Sequence, residues 1–378
     1  MTHVRMPATA RNSRRSARRA TGAFAAAGMT TMALIAVAPA SPAAPQPGTI
    51  SAPIAATAPA AGSTTKSTSS DREAARVAAG WLSRRFVDGT HLTTTYDGTA
   101  YDDAGLTLDA VLAFAAAKTN DVTAARAMTW LAEPARLAGY LGDGTQESYA
   151  GAHAKLVLTL KVRGLDPSSY GGRDPLAELA GLQRADGRLS DRSQWGDYSN
   201  GFGQSLGAIA LDRAGRSAAG RKAADYLAGQ ACADGGVPVV LEQSTCVGDR
   251  DATAMALQAF TATGRGAAAQ KAANWLATQV RTKGHANANS AGLAAAGLDQ
   301  VRGYGAVADA ARAYLRSLQV PCSASFDRRG AIKYTPGPYD ESLAVRATTQ
   351  AALGLTGADL ETLVSRGSIA YAPAAGCR

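Results

Sequence analysis

The chain has 378 residues, with 39 Lys and Arg against 30 Asp and Glu, a formal charge of +9. It is 46% hydrophobic, only 6% aromatic and 18% charged. Six of the positive charges fall within the first 19 residues and leave about +3 for the rest, where no basic stripe with interleaved aromatics marks a nucleic-acid partner.

Residues 1–40 have the layout of an export signal. Arg5, Arg11, Arg14, Arg15, Arg18 and Arg19 come first with no acid, then the apolar run Ala23–Ala38, then small residues such as Ala38-Pro39-Ala40 that offer a cleavage point. The run is shorter than the ~20 apolar residues of a spanning helix, and no second long apolar segment follows. The expectation is a secreted, monomeric product without a stable membrane anchor. Residues 41–70 are rich in Ala, Pro, Ser and Thr with Lys66 as the single charge, a composition that cannot bury a core, so they read as a disordered linker. The folded part is expected over 71–378.

The four cysteines are Cys232, Cys246, Cys322 and Cys377. An even number in an exported chain points to disulfides, and three pairings are open. The simplest joins neighbours in sequence, Cys232 with Cys246 and Cys322 with Cys377. No CxxC spacing and no adjacent His offers a metal site, and no metal is expected.

A repeat organises residues 71–378. Ala-rich helical stretches end on Trp81, Trp130, Leu179, Tyr226, Trp275 and Tyr314, at spacings of 49, 49, 47, 49 and 39. Gln183, Gln230, Gln279 and Gln319 follow four of these after about one helical turn. After each comes a turn-forming segment such as Asp88-Gly89, Asp186-Gly187 or Asp234-Gly235-Gly236, and then a second helix. The second helices read as 103–118, 149–163, 200–214, 251–263, 289–302 and 341–355; they are apolar nearly all round and should be buried. Six hairpins, each with one buried and one solvent-facing helix, predict an all-α, (α/α)6 toroid of two concentric rings, with an open solenoid as the alternative.

The aromatic-Leu-x-x-Gln helix ends, the Asp-Gly loops after them, and Asp249-Arg250-Asp251-Ala252-Thr253-Ala254 resemble the prenyltransferase and squalene-oxidase repeat superfamily, whose members are α/α toroids. The likeness to the acidic motif of class II terpene cyclases implies Asp251, with Asp249, as the catalytic acid; Ala252 departs from that motif, where the family has an aspartate. Protein prenyltransferases need a zinc-binding cysteine, and the second helices contain none. The secreted, disulfide-bearing cobalamin carriers are the nearest model, and resemblance to them implies a non-catalytic protein that binds a small ligand, with cobalamin as a possible bound ligand and no other cofactor. The alternatives are a terpene-cyclase-like enzyme and an extracellular protein-interaction module.

Counting back eleven positions from the unit-ending glycines places His153, Gln204, Thr253 and Gly292 at one level, with Thr107 equivalent in the first unit. Tyr101, Asp103, Tyr149, Tyr198, Asp249, Asp251 and Tyr339 precede them. Together these polar and tyrosine side chains are expected to converge on one mouth and bind the ligand. Asp103, Asn200, Asp251 and Asn289 also read as ordinary helix N-caps, and His153 as a hydrogen-bonded lining residue rather than a metal ligand.

Overall fold

The computed structural model describes residues 67–372. The export signal, all but the last few residues of the linker, and Cys377 lie outside the described residues. The fold starts slightly before the expected boundary: helix α1 spans Ser69–Ser83, and its first turn is closed by a reciprocal capping box between Thr68 and Asp71.

Six inner helices follow the expected second helices closely: α2 (Ala104–Ala117), α5 (Ala150–Arg163), α7 (Gly201–Arg213), α9 (Arg250–Ala262), α11 (Ala288–Leu298) and α13 (Glu341–Thr356). Each packs on the next, and α13 returns to α2, so the inner ring is closed. The outer layer is α1, α3 (Asp121–Leu131) with α4 (Pro134–Leu141), α6 (Pro175–Gly181), α8 (Ser217–Gln230), α10 (Gly266–Lys283) and α12 (Gly305–Leu318). A short hairpin, β1 (Thr93–Tyr96) paired antiparallel with β2 (Thr99–Asp102), leads into α2. The all-α toroid is therefore the fold, and the open solenoid is excluded.

Ring closure has its own chemistry. Gln319, after α12, donates to the Ala74 carbonyl of α1 at 2.9 Å, the Trp81 indole donates to the Asp327 carbonyl at 2.8 Å, and Arg85 pairs with Glu341 at 2.7 Å. Arg316 of α12 pairs with Asp71 of α1. Trp81 is fully buried in this seam, as a packing residue between the rings.

The inner helices approach closely because small residues face one another. A Cβ on Gly292 would lie 2.4 Å from the Gln350 carbonyl oxygen, and one on Gly354 would lie 2.5 Å from the Gly292 oxygen. The obstacle is backbone on both sides, so no rotamer change relieves it. Gly292→Ala and Gly354→Ala should each cost about 1–3 kcal/mol through overpacking, read as a lower urea midpoint; an unchanged midpoint would show that the α11–α13 crossing is looser than described.

Loops joining outer to inner helices gather at one end, the mouth, where all six inner helices begin. The opposite end is sealed by the chain after α13. Arg213 donates to the Leu360 and Leu363 carbonyls, the Leu360 amide donates to Gln258 at 3.2 Å, and the Ser365 amide donates to the Val162 carbonyl at 2.8 Å. Ile369 and Ala370 accept from the Asp121 and Val122 amides at the start of α3. The toroid is thus a cup with a mouth and a floor. The Cys232–Cys246 disulfide clips the loop before α9, as expected; Cys322 is also disulfide-bonded.

Candidate active site

At the mouth each inner helix presents free N–H groups, and each has an oxygen to receive them. Asp103 accepts from the Leu106 amide at 2.8 Å, and Asn200 from Phe202 and Gly203 at 3.0 and 3.1 Å. Asp249 accepts from Asp251 and Ala252 at 2.9 and 2.8 Å, Asn287 from Ser290 at 2.9 Å, and Asp340 from Leu343 at 3.2 Å. Helix α5 follows Tyr149, whose side chain makes no cap. Asp191, from the loop before α7, accepts from the Ala150 amide at 2.7 Å instead. The caps expected at Asp103 and Asn200 hold. Those expected at Asp251 and Asn289 belong to Asp249 and Asn287, two residues earlier.

That shift frees Asp251. Its Oδ1 is shut off from solvent and has no hydrogen-bond partner among the described residues. Burial is the main cause that pushes its carboxyl up to about 6, and the charge of Asp249 adds to the push. A hydrogen bond from the Ser290 side chain and the charge of Arg250 work the other way and lose. A carboxyl with this titration keeps its proton in mildly acidic solution and gives it up near neutrality, which suits a general acid. Two further buried side-chain oxygens without partners follow on the next inner helices, Asn289 Oδ1 on α11 and Gln350 Oε1 on α13.

The layer of equal positions has a different task. Thr107, His153, Gln204 and Thr253 are fully buried. Thr107 accepts from the Leu92 amide at 2.9 Å, Gln204 from Leu189 at 2.8 Å, and Thr253 from Val237 at 2.8 Å. Thr348 repeats the contact with Ile332 at 3.1 Å. Each latches the hairpin loop of its own unit to the inner helix. His153 is held between the Tyr149 carbonyl at Nδ1 and Glu178 of α6 at Nε2, both at 2.8 Å. The polar side-chain atoms of these four residues are thus engaged in contacts within the fold.

The remaining candidates divide. Asp103, besides capping, accepts from Thr94 at 2.6 Å and pairs with Arg346 at 3.1 Å, so its oxygens are occupied. Asp249 is occupied by its cap. The Tyr149 hydroxyl donates to Glu147 at 3.2 Å. The Tyr339 hydroxyl is buried without a partner, and burial pushes it up to about 12. Tyr101 and Tyr198 are exposed, on the hairpin before α2 and the loop before α7, where Trp195 is exposed as well. Asp191 was not among the sequence candidates. Burial raises its pKa above its ordinary value, against the hydrogen bonds from Ala150 and Tyr198. The signal that could have found it is the missing cap at Tyr149.

No family model and no curated protein matches the chain. Solved structures do match over most of its length. A protein from Actinoplanes aligns with 76% of this chain and 100% of its own, at 15% identity and a TM-score of 0.54. An unsaturated glucuronyl hydrolase specific for heparin aligns with 78% of this chain and 98% of its own, at 13% identity and 0.52. A UGL structure with dGlcA-Glc-Rha-Glc aligns with 75% and 95%, at 13% identity and 0.50. At these identities the likeness establishes the α/α toroid fold.

The expectation of a non-catalytic ligand carrier is corrected by these findings. One of the toroids described above is an unsaturated glucuronyl hydrolase, a catalytic protein. Asp251, read as a helix cap, a ligand contact or, in the cyclase-like alternative, the catalytic acid, does not cap α9; its Oδ1 is buried without a hydrogen-bond partner among the described residues, and burial pushes its carboxyl up to about 6. No helix among the described residues is long and apolar enough to cross a membrane.

Proposed function

We propose that this chain is a toroid hydrolase acting on a glycan, with Asp251 as the general acid. The observation that carries the reading is the buried Asp251 carboxyl, whose Oδ1 has no hydrogen-bond partner among the described residues, titrating near 6 at the mouth of a closed ring of helix starts. Protonated Asp251 gives its proton to the oxygen that leaves as the C–O bond breaks. Water supplies the new C–O bond, and its proton passes to Asp191, the second mouth carboxyl, which caps α5 while Asp251 stands on α9, with α7 between them in the ring. The exposed rings of Trp195 and Tyr198, on the loop before α7, and of Tyr101, on the hairpin before α2, offer flat apolar faces for sugar rings. The hydrolases with the same fold support a saccharide as the substrate.

The protein is proposed to work outside the cell as a monomer, in keeping with the disulfide and the basic-then-apolar N-terminus. The test is a reducing-end assay of the secreted protein on a panel of neutral and unsaturated, uronate-containing oligosaccharides. Turnover should fall about 10²–10⁴-fold in Asp251→Asn. Absence of turnover on every member, or turnover that survives Asp251→Asn, would overturn the reading.

A further inference from the structure

The seam that closes the ring carries a group of arginines that the site above does not use. Helix α1 ends at the mouth with Arg84 and Arg85, and the loop before α13 brings Phe326, Arg328 and Arg329 to the same rim. Phe326 is 64% exposed, and two guanidinium groups lie against its ring, with the Arg84 and Arg329 carbons 4.8 and 5.0 Å from its centre. A third guanidinium, that of Arg328, lies 5.1 Å from the Tyr339 ring centre.

The charges here are not balanced. Arg85 pairs with Glu341 at 2.7 Å, and Arg328 lies 3.6 Å from Asp327. Among the described residues Arg84 and Arg329 have no carboxylate partner; Arg84 donates only to the carbonyls of Gly80, Phe326 and Arg329. Two like charges held against one ring repel each other, and the crowding by Arg85 and Arg329 adds to burial in pushing the Arg84 pKa down. Contact with the Phe326 ring and, for Arg84, three backbone carbonyls hold these guanidinium groups at the rim, and an anion bound beside them would relieve the repulsion. The flat exposed ring beside those donors suits a sugar face and contributes nothing to a free inorganic ion.

We infer that Arg84, Phe326 and Arg329 form a rim subsite for the anionic groups, sulfate or carboxylate, of an acidic polysaccharide whose chain continues into the mouth. The inference rests on the proposed glycan substrate and deepens it. A chain held at the rim by its charge is delivered to Asp251, and neutral glycans lose that hold.

Binding separates this inference from the catalytic reading. Asp251→Asn protein, expected to turn substrate over far more slowly, is titrated calorimetrically with heparin, hyaluronan and neutral dextran, before and after adding Arg84→Gln and Arg329→Gln. The expected result is binding of one or both acidic chains but not dextran. The double arginine substitution should weaken it about tenfold or more and flatten the dependence of log affinity on log salt by about 2, one for each lost charge contact. Preference between heparin and hyaluronan identifies sulfate or carboxylate as the group bound. Equal binding of dextran, acidic-chain binding untouched by the arginine substitutions, binding of anionic lipid vesicles or DNA without any glycan, or no binding at all would each overturn the rim subsite. If turnover in the parent protein persists with any of those results, the catalytic reading stands alone.

Discussion

Asp251→Asn is expected to stabilise the protein while it removes activity. The carboxyl titrates near 6 in the fold against 3.8 as its ordinary value. Between those two pH values the native state binds the extra proton, so stability falls as pH rises through the window. Below about 4 both states are protonated and the group costs nothing. Above 6 the full penalty is present: about 3 kcal/mol if the group were wholly buried, and about 1–3 kcal/mol with solvent screening of its accessible part. Asparagine carries no charge at any of these pH values. The gain in Tm of the variant should therefore be small at pH 4, grow to a few degrees by pH 7 and stay level above it. Thermal melts across that range test this without any knowledge of the substrate. A variant less stable than the parent at pH 7 would show that the carboxylate is welcome where it lies and would remove the physical basis for its role as an acid. In the active protein the same titration should appear as a fall in turnover above pH 6, as the donor loses its proton.

The fold was legible because its signals are periodic and redundant. A turn glycine, a large apolar helix end and an Ala-rich run recur in every unit, so the boundaries of α5 and α13 could be read to within a residue or two. The site was less legible because it depends on helix phase. Successive residues of a helix turn by about 100°, so Asp251 and Thr253 are about 200° apart and cannot both face the mouth. The repeat marks Thr253, which fastens the loop at Val237. That task recurs in every latched unit and therefore leaves a pattern. Asp251 faces the other way and has no counterpart in the other units, so periodicity carries no information about it. The cap register has the same origin: Asp249 and Asp251 are equally good capping residues in sequence, and only the backbone decides that Asp249 caps and Asp251 is left without that partner. Asp191 escaped because its contact with Ala150 joins residues 41 positions apart.

Arg312→Met should be the most damaging single change in the ring. Arg312 is fully buried on α12. It pairs with Asp299 at the end of α11, with Asp309 one turn back at 2.5 Å, and lies 3.9 Å from Asp71 of α1, which Arg316 also holds. One guanidinium thus joins the last unit, its predecessor and the first. Methionine fills similar space but leaves the buried carboxylates of Asp299 and Asp71 short of positive charge. Breaking a buried pair from one side costs about 3–5 kcal/mol. Burial already raises the Asp299 pKa against the pull of Arg312, so without the cation it rises further. A raised carboxyl destabilises the fold above its folded pKa and is relieved by protonation, so the deficit should be largest at pH 7 and shrink towards pH 4. Adding Asp299→Leu should recover part of it, because an apolar pair of similar volume removes the charge left behind. Urea unfolding of the parent, both single variants and the double at the two pH values measures the coupling. A loss below about 1 kcal/mol that does not change with pH would mean that the seam is held by the Trp81 and Gln319 contacts and the surrounding packing, with the ion cluster only filling space between them.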